Sequence, residues 1–349
     1  MNPLLKNIYE QPEELRRVLA DLTGPKLDQV KHVAQLLEIA DEVVLTSMGS
    51  AFYSLMPMHE ALERAGKRSR LVETADLIHY PEKLSRNAVY VMMSRSGESR
   101  EVADFSAYLK EHGYLCVAIT MTPDSTMAKN ATVVLHDVSS YDEIVCIKAY
   151  STMVLTGLVC VAMMGRKEFD PALSAKLNAA FDWMGAHKED ILNQWEQVPF
   201  LDKPHNFYLL SRGFGMYVMR SCSLWVEETA KVCANFMSID NFYHGPMEIN
   251  RWAGRLSCVT APLYLDVFGD GRSQMIWEKV CQNTPNCIYV GPAGPQNQGG
   301  ACFETPQLGL EDPWMMIVLA LYFQLMSYQT AIARGIKPGE FLDEGWVVT

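Results

Sequence analysis

An α/β fold with mainly parallel sheets, arranged as two similar halves, is predicted by three features of this 349-residue sequence. Short apolar runs typical of buried strands alternate with segments of helical spacing, a pattern typical of a parallel sheet covered by helices on both faces. The second half repeats the order of the first, which indicates an internal duplication. The composition, 49% hydrophobic and 20% charged, is sufficient for two large cores.

The first half is predicted to contain four strands after an amphipathic helical segment over residues 1–30. These strands are the apolar runs at residues 43–46, 88–93, 115–120 and 132–135. Helix-like segments separate them, and a long apolar helix from about Ile147 to Met164 closes this half. The first domain is therefore assigned to residues 31–168.

The second half follows a polar helix from Pro171 to about Glu196 and a proline-containing linker, so residues 169–204 are assigned to a helical linker. The second domain, residues 205–330, is predicted to begin with a strand at Phe207–Leu210 and to end with a helix from Trp314. Between these elements we expect a helix and two strands, at residues 217–232, 257–260 and 287–290. Residues 331–349 are assigned to a C-terminal tail.

The bulk composition excludes several classes of protein. A net charge of −11 argues against a nucleic-acid-binding or membrane-surface protein, because either would need a basic face. The longest apolar runs are shorter than a bilayer requires, and residues 1–6 lack the apolar core of a signal peptide. Nine cysteines without a C-x-x-C pair argue against disulfides or zinc and fit the cytoplasm. No histidines have metal-ligand spacing, so no metal site is predicted.

The turn Ser94-Arg95-Ser96-Gly97-Glu98-Ser99 lies between a predicted buried strand and a predicted helix. Free N–H groups at a helix start, together with serine hydroxyls, can bind an anion. The turn lacks the lysine of a nucleotide P-loop, so a small phosphorylated metabolite is the better prediction. The alternative is that these serines only cap the helix.

Several motifs in order resemble the double phosphosugar-isomerase (SIS) family, including the isomerase half of glucosamine 6-phosphate synthase. The resemblance covers nearly the whole chain and is carried by Ile8-Tyr9-Glu10-Gln11-Pro12, Gly49-Ser50, Ser94–Ser99, Lys148-Ala149-Tyr150, His244-Gly245-Pro246 and a tail ending Val347-Val348-Thr349. It implies two tandem SIS domains, each a flavodoxin-like, three-layer αβα unit, and a C-terminal tail that contributes to the active site.

The resemblance also implies site residues and partners. The family's phosphate contacts fall on Ser50, Ser94, Ser96 and Ser99. Its catalytic glutamate falls on Glu228, sixteen residues before His244, which is the second catalytic residue. In this family that histidine often completes the site of the neighbouring subunit, which implies a homodimer; further assembly is left open. No cofactor is implied.

Four further residues are predicted substrate contacts, and two of them, Arg95 and Lys148, have an alternative. Gly49 and Gly97 lie in the two phosphate turns, where backbone groups would approach the ligand. Arg95 would contact the phosphate or the carboxylate of an amino-acid adduct, or else point into solvent. Lys148 would bind the sugar or its phosphate, or else form a structural ion pair. Glu228 and His244 have alternatives too, a surface salt bridge and a solvated loop histidine.

Departures from the synthase pattern bear on the reaction. Compared with the synthase, we expect no glutaminase domain before residue 8. The segment 341–346 contains no lysine, and Asn241 stands where the family has glutamate. The segment His244-Gly245-Pro246-Met247-Glu248-Ile249 instead resembles fructosamine 6-phosphate deglycases, although Asn241 departs from them as well. The predicted function is therefore a deglycase that splits an Amadori-type adduct of a hexose 6-phosphate, such as fructoselysine or glucoselysine 6-phosphate.

Two other functions are weighed against the deglycase. An ammonia-releasing amino-sugar 6-phosphate deaminase or isomerase would use the same base and histidine. A non-catalytic phosphosugar sensor would usually carry one SIS domain fused to a DNA-binding segment, and neither such a segment nor a basic patch is visible. The sequence does not identify the amine, nor whether the adduct is an aldose or a ketose.

Overall fold

The structure is a computed structural model, and it describes residues 1–142, 145–252, 255, 259–282, 284–292 and 300–341. The described residues form two compact units. The first unit consists of residues 9–182, and the second consists of residues 1–8 together with 183–341. Helix α1 (Pro3–Thr23) contributes to both, and α9 (Pro171–Glu196) contains the point at which one unit ends and the other begins.

The first unit contains a sheet of five parallel strands in the order β2-β1-β3-β4-β5. Their bounds are β1 Glu42–Ser47, β2 Ser69–Glu73, β3 Ala88–Ser94, β4 Leu115–Thr120 and β5 Val133–His136. Strands β1 and β3 are buried along their whole length, as expected for central strands covered on both faces.

Helices cover both faces of this sheet and make three layers. They are α2 Leu27–Ile39, α3 Gly49–Ser54, α4 Met56–Arg64, α5 Thr74–His79, α6 Arg100–Glu111, α7 Thr126–Asn130 and α8 Lys148–Ala162, with a short 3-10 turn at Pro81–Lys83. Helices α2, α3 and α4 pack with α8 on one face. On the other face, Tyr90 of the sheet packs against Phe105 of α6 within a shared apolar cluster.

The second unit contains another sheet of five parallel strands, in the order β10-β9-β8-β6-β7. The strands are β6 Asn206–Ser211, β7 Cys233–Ser238, β8 Thr260–Leu265, β9 Ile288–Gly291 and β10 Ala301–Glu304. The helices are α10 Gly215–Ala230, α11 Ile239–Tyr243, α12 Glu248–Trp252, α13 Gly271–Cys281 and α14 Asp312–Ala333. Helices α11 and α13 cover one face, while α10 packs against α14.

The two sheets have the same topology. Numbered within its own unit, each sheet has the strand order 2-1-3-4-5, which is the flavodoxin-like order. The predicted fold class, two α/β domains with parallel sheets, is confirmed. In this order, successive strands are added on one side of the first strand and then on its other side, so the strand order switches between the first and third strands. Ligands of such sheets bind at the carboxyl ends of the strands at that switch point.

The main differences from the predicted elements are at the sheet edges. Strands β2, β7 and β10 were not predicted, because their exposed or half-buried residues lack the continuous apolar run of a central strand. The predicted strand at 257–260 also differs, since β8 begins at Thr260 and residues 257 and 258 lie outside the described residues.

Helix α14 is long and apolar enough to cross a membrane by length and composition alone. However, 83% of its most apolar window is buried inside the protein. Its apolar character all round is therefore that of a helix buried in a core, as the sequence predicted for the run from Trp314.

Candidate functional site

The predicted phosphate-binding residues lie where two adjacent strands end. Strand β1 ends at Ser47 and leads through Gly49 into α3, while its neighbour β3 ends at Ser94 and leads into α6. The hydroxyl of Ser47 donates a hydrogen bond to the backbone carbonyl of Met93, which joins the two strand ends. The structure thus brings Ser50 and the Ser94–Ser99 turn to the ligand-binding edge of the first unit.

The Ser94–Ser99 turn is organised by serine side chains that accept hydrogen bonds from the backbone. The amide of Gly97 donates to Ser94 Oγ at 2.9 Å, and the amide of Glu98 donates to Ser96 Oγ at 3.2 Å. Each of these hydroxyls still carries one O–H that can donate to a ligand. Ser99 is the N-cap residue of α6 but makes no side-chain capping bond, so the simple capping alternative does not describe it.

Gly97 is the position at which this turn admits only glycine. Its φ is +64°, in the left-handed region that residues with a Cβ rarely adopt. A Cβ there would also lie 2.1 Å from Ser125 Oγ, because the turn packs against the start of α7. The backbone carbonyl of Gly97 accepts a hydrogen bond from the amide of Met127, which ties the turn to that helix.

Glu98 provides a second tie between the turn and α7. Its carboxylate accepts hydrogen bonds from the backbone amide and the hydroxyl of Thr126, both at 2.8 Å. These hydrogen bonds lower the pKa of Glu98. The Glu98 carboxylate is thereby held at the start of α7 and fixes the turn against that helix. The sequence analysis did not single out this residue.

Gly49 and Ser50 occupy the start of α3. Gly49 has a φ of +56°, and nothing lies within 4 Å of the position its Cβ would take, so the left-handed turn alone favours glycine. Ser50 follows it and is half-buried. Both residues therefore lie at the end of β1, beside the end of β3.

Arg95 and Lys148 have protein partners in the first unit. The Arg95 guanidinium donates to the backbone carbonyl of Asp142 at 3.3 Å and lies over the ring of Tyr141. Lys148 is only 2% exposed, and its ammonium group contacts a Glu10 carboxylate oxygen at 2.8 Å and the Ser140 hydroxyl at 2.7 Å. This ion pair is the arrangement that the sequence analysis gave as the alternative for Lys148.

Glu228 and His244 belong to the second unit. Glu228 is half-buried near the end of α10, whereas its neighbour Glu227 is exposed and accepts a hydrogen bond from the amide of Ala234 at 3.2 Å. His244 follows α11 and is exposed, with its ring 6.3 Å from that of Tyr243. Glu248 pairs with Arg251 in α12.

Lys231 is a charged neighbour of Glu228 that the sequence analysis missed. Its backbone has a φ of 55°, the only left-handed residue other than glycine in the described part of the chain, and it ends α10. Its ammonium group lies 4.6 Å from the centre of the Phe341 ring and donates to the backbone carbonyl of Glu228. Burial lowers the pKa of Lys231, and the charge of Glu228 partly offsets this. A left-handed lysine has no sequence signal.

The described residues contain no group of three or more histidine, cysteine, aspartate or glutamate side chains arranged to hold a metal ion. Among the candidate residues described above, the first unit supplies hydroxyl and amide donors, and the second supplies a carboxylate, an amine and an imidazole.

Comparison with protein families places the SIS domain on residues 40–165, which span all five strands of the first sheet. Curated relatives include glutamine–fructose-6-phosphate aminotransferases (isomerizing). The one from Pyrobaculum aerophilum is 24% identical over 349 residues, covering 96% of this chain and 55% of its own length. The one from Shouchella clausii is 23% identical, covering 95% of this chain and 56% of its own length. The chain thus spans about half the length of these relatives.

Solved structures share the whole fold. The C-terminal domain of a glucosamine-fructose-6-phosphate aminotransferase from Francisella tularensis has a TM-score of 0.77 at 16% identity, covering 96% of each chain. A glucosamine-6-phosphate deaminase from Thermotoga maritima has a TM-score of 0.76 at 18% identity, covering 96% of this chain and 95% of its own. A tagatose-6-phosphate ketose/aldose isomerase from Escherichia coli has a TM-score of 0.75 at 16% identity, covering 99% of this chain and 97% of its own.

Proposed function

We propose that this chain, a pair of SIS-type domains, is an enzyme that binds and transforms a sugar 6-phosphate. The observation that carries the proposal is the turn from Ser94 to Ser99, which lies at the ligand-binding edge of the first sheet and at the start of the twelve-residue helix α6. Its hydroxyls, the helix-start amides and the glycine-only position Gly97 form a site for an anion. The names of the relatives reported above all refer to phosphorylated sugars, which supports this ligand class.

More specifically, we propose that the enzyme is a deglycase. The substrate is a hexose 6-phosphate with a substituted amine at C1 and a ketone at C2. A base removes a proton from C1 to give an enaminol, and reprotonation at C2 gives an imine at C1. Water then hydrolyses the imine to a hexose 6-phosphate and a free amine. The phosphate serves as a handle, and the binding energy it supplies positions C1 and C2.

Glu228 is the proposed base for the C1 and C2 protons, and His244 the proposed proton shuttle during ring opening. A half-buried carboxylate can accept a proton from one carbon and return it to the other when it lies within hydrogen-bond reach of both. An imidazole gains and loses protons near neutral pH. We further propose that the active protein is a homodimer in which His244 completes the site of the neighbouring subunit and the C-terminal tail contributes to the site.

An ammonia-releasing deaminase is the second candidate. One structural relative is a glucosamine-6-phosphate deaminase, and the curated relatives handle the transfer of an amino group to fructose 6-phosphate, as their names state. The same base and histidine would serve this reaction, because it passes through the same C1 and C2 proton transfers. Only the identity of the released amine separates the two candidates.

In the first experiment, the purified protein is incubated separately with fructoselysine 6-phosphate, glucoselysine 6-phosphate and glucosamine 6-phosphate. Hexose 6-phosphates, lysine and ammonia are measured. Lysine with glucose 6-phosphate supports the deglycase, whereas ammonia from glucosamine 6-phosphate alone assigns the protein to the deaminases. Tight binding without any product supports the phosphosugar sensor and overturns the enzymatic proposal.

The phosphate assignment is tested with Ser96→Ala combined with Ser99→Ala. We expect glucose 6-phosphate to bind at least about tenfold more weakly, since each lost hydrogen bond to a charged group contributes about 1.5–3 kcal/mol. Affinity for unphosphorylated glucose should stay constant. Equal losses for both sugars would contradict a phosphate site at this turn. Ser85→Ala, another serine of the same unit outside the turn, is the control.

A further inference from the structure

The two units can be aligned residue by residue at their ligand-binding edges. The hydroxyl of Ser211 at the end of β6 donates to the backbone carbonyl of Leu265 at 2.6 Å, as Ser47 does to Met93. Two residues after each serine comes a left-handed glycine, Gly213 with a φ of 52°, corresponding to Gly49 with a φ of 56°. The second unit therefore repeats the strand end and the first turn of the first unit.

The second turn repeats as well. Gly269 has a φ of 63°, against 64° for Gly97, and its amide donates to Asp266 Oδ1 at 2.9 Å, as the Gly97 amide donates to Ser94 Oγ at 2.9 Å. The backbone of the anion site is thus present twice, and equivalent positions follow by counting along each turn.

The hydroxyls of the anion site are all absent from the second unit. The residues equivalent to Ser50, Ser94, Ser96 and Ser99 are Phe214, Asp266, Phe268 and Gly271. A carboxylate and two aromatic rings have taken the place of neutral hydroxyl donors, so a phosphate would meet a like charge there. The second unit therefore presents a different chemistry at the same place in the fold.

A cleft with a volume of about 190 Å³ opens at this edge of the second unit. Phe214 and Asp266, the equivalents of two phosphate-binding serines, form part of its wall. The remainder includes Pro292 after β9, the segment from Thr305 to Leu310 after β10, and Met315 of α14. Its position is the one at which such sheets bind ligands.

The two charged residues that line this cleft in the described part of the chain are both acidic, and most of the other lining residues are apolar. Asp266 is 1% exposed, and Asp312 at the start of α14 also lines the cleft. None of the lining residues in the described part of the chain is basic. The nearest arginine along the chain, Arg212, forms a two-point ion pair with Asp240, at 2.6 and 2.8 Å.

We propose that this cleft in the second unit binds a small organic cation, a primary amine carried on an apolar chain. The ammonium group would pair with Asp266 and Asp312, and the chain would lie against Phe214, Pro292 and Met315. Asp266 is held for this role by hydrogen bonds from the amides of Phe268 and Gly269 to one oxygen and from the Tyr289 hydroxyl to the other. The cleft exists whether or not the first unit turns over a phosphosugar.

The test compares three probes that share a five-carbon chain and differ in head group: pentylamine, 1-pentanol and pentanoate. Binding to the full chain is measured by calorimetry and by ligand-detected NMR. Pentylamine should bind at least about tenfold more tightly than 1-pentanol, the difference expected for hydrogen bonds to a charged group. Pentanoate should bind least. Equal binding of the amine and the alcohol, or no binding of the amine, overturns the proposal.

Two variants test whether pentylamine binds in this cleft. Asp266→Asn keeps an acceptor for the Gly269 amide but removes the charge, so pentylamine affinity should fall about tenfold while 1-pentanol is unaffected. Met315→Trp fills the cleft without changing charge and should abolish binding of both. Glu311→Gln, adjacent to the lining but outside it, is the matched control. If Asp266→Asn fails to fold, unchanged amine affinity in Met315→Trp still overturns the assignment.

Discussion

At the scale of single residues, backbone conformation decides where the candidate anion site can form. Gly97 combines a left-handed φ with a Cβ position blocked by Ser125 Oγ, so both the turn and its packing demand glycine. Lys231 adopts the same backbone region without being glycine, beside the proposed base Glu228. Residues in this conformation are held by their surroundings and are concentrated at functional sites.

Replacing Gly97 with alanine should destabilise the protein by about 1–3 kcal/mol and abolish phosphosugar binding, because the turn must shift away from Ser125. Gly113→Ala is the matched control, since Gly113 has a φ of 72° and open space around its Cβ position. Urea unfolding and glucose 6-phosphate titration measure both effects. A loss no larger than that of Gly113→Ala would show that contact with Ser125 is unimportant.

Glu228→Gln should lower turnover by at least about 10²-fold, the scale of general acid–base catalysis, while sugar 6-phosphate binding is retained. The reason is that glutamine keeps the shape of the side chain but cannot accept a proton. Glu227→Gln, one residue earlier and exposed, should leave turnover unchanged, because an amide oxygen can still accept the hydrogen bond from Ala234. Full activity in the Glu228 variant would exclude it as the base.

At the scale of secondary structure elements, short polar contacts join the turn after β3 to α7. The Gly97 carbonyl and the Glu98 carboxylate both accept hydrogen bonds from the first residues of α7. The turn is therefore held on one side by its own helix α6 and on the other by a neighbouring helix. A site built in this way is arranged before the ligand arrives.

Glu98 makes this connection dependent on pH. Its pKa is lower in the folded protein than the usual 4.5, because the Thr126 amide and hydroxyl bind the charged form. Its stabilising effect is therefore complete above pH 4.5 and is lost as the pH falls through the lower folded value. Wild type should be more stable than Glu98→Gln at pH 7, and the difference should shrink in acid. Urea unfolding across this range measures it, and a difference independent of pH would contradict the assignment.

At the scale of the whole molecule, the two units present the same sheet edge with different side chains. The units share strand order, left-handed glycines and the serine bond between the first and third strands. They differ in the side chains at the equivalent turn positions, which are hydroxyls in one unit and a carboxylate with two aromatic rings in the other. The same backbone therefore serves two chemistries.

This difference predicts the binding stoichiometry. Each chain should bind one glucose 6-phosphate, because Asp266 occupies the position in the second unit that Ser94 has in the first. Calorimetric titration of the full chain measures the number of sites. Two equivalent phosphate sites per chain would contradict the division of chemistry between the units.

The fold and part of the site could be predicted from the sequence because they depend on local pattern. Buried parallel strands such as β3 are continuous apolar runs, and the Ser94–Ser99 turn is contiguous in the chain. Edge strands β2, β7 and β10 could not be predicted, since their residues are half exposed and their pairing partners are distant in sequence.

The sequence by itself determined the α/β class, the duplication and the residues of the serine turn. Only the tertiary structure decided that Lys148 pairs with Glu10, that Arg95 lies over Tyr141, and that Lys231 lies beside Glu228. It also decided that residues distant in sequence, including Phe214, Asp266 and Met315, line one cleft. The physical reason is that burial and charge pairing depend on which distant segments meet, and local periodicity carries no record of those contacts.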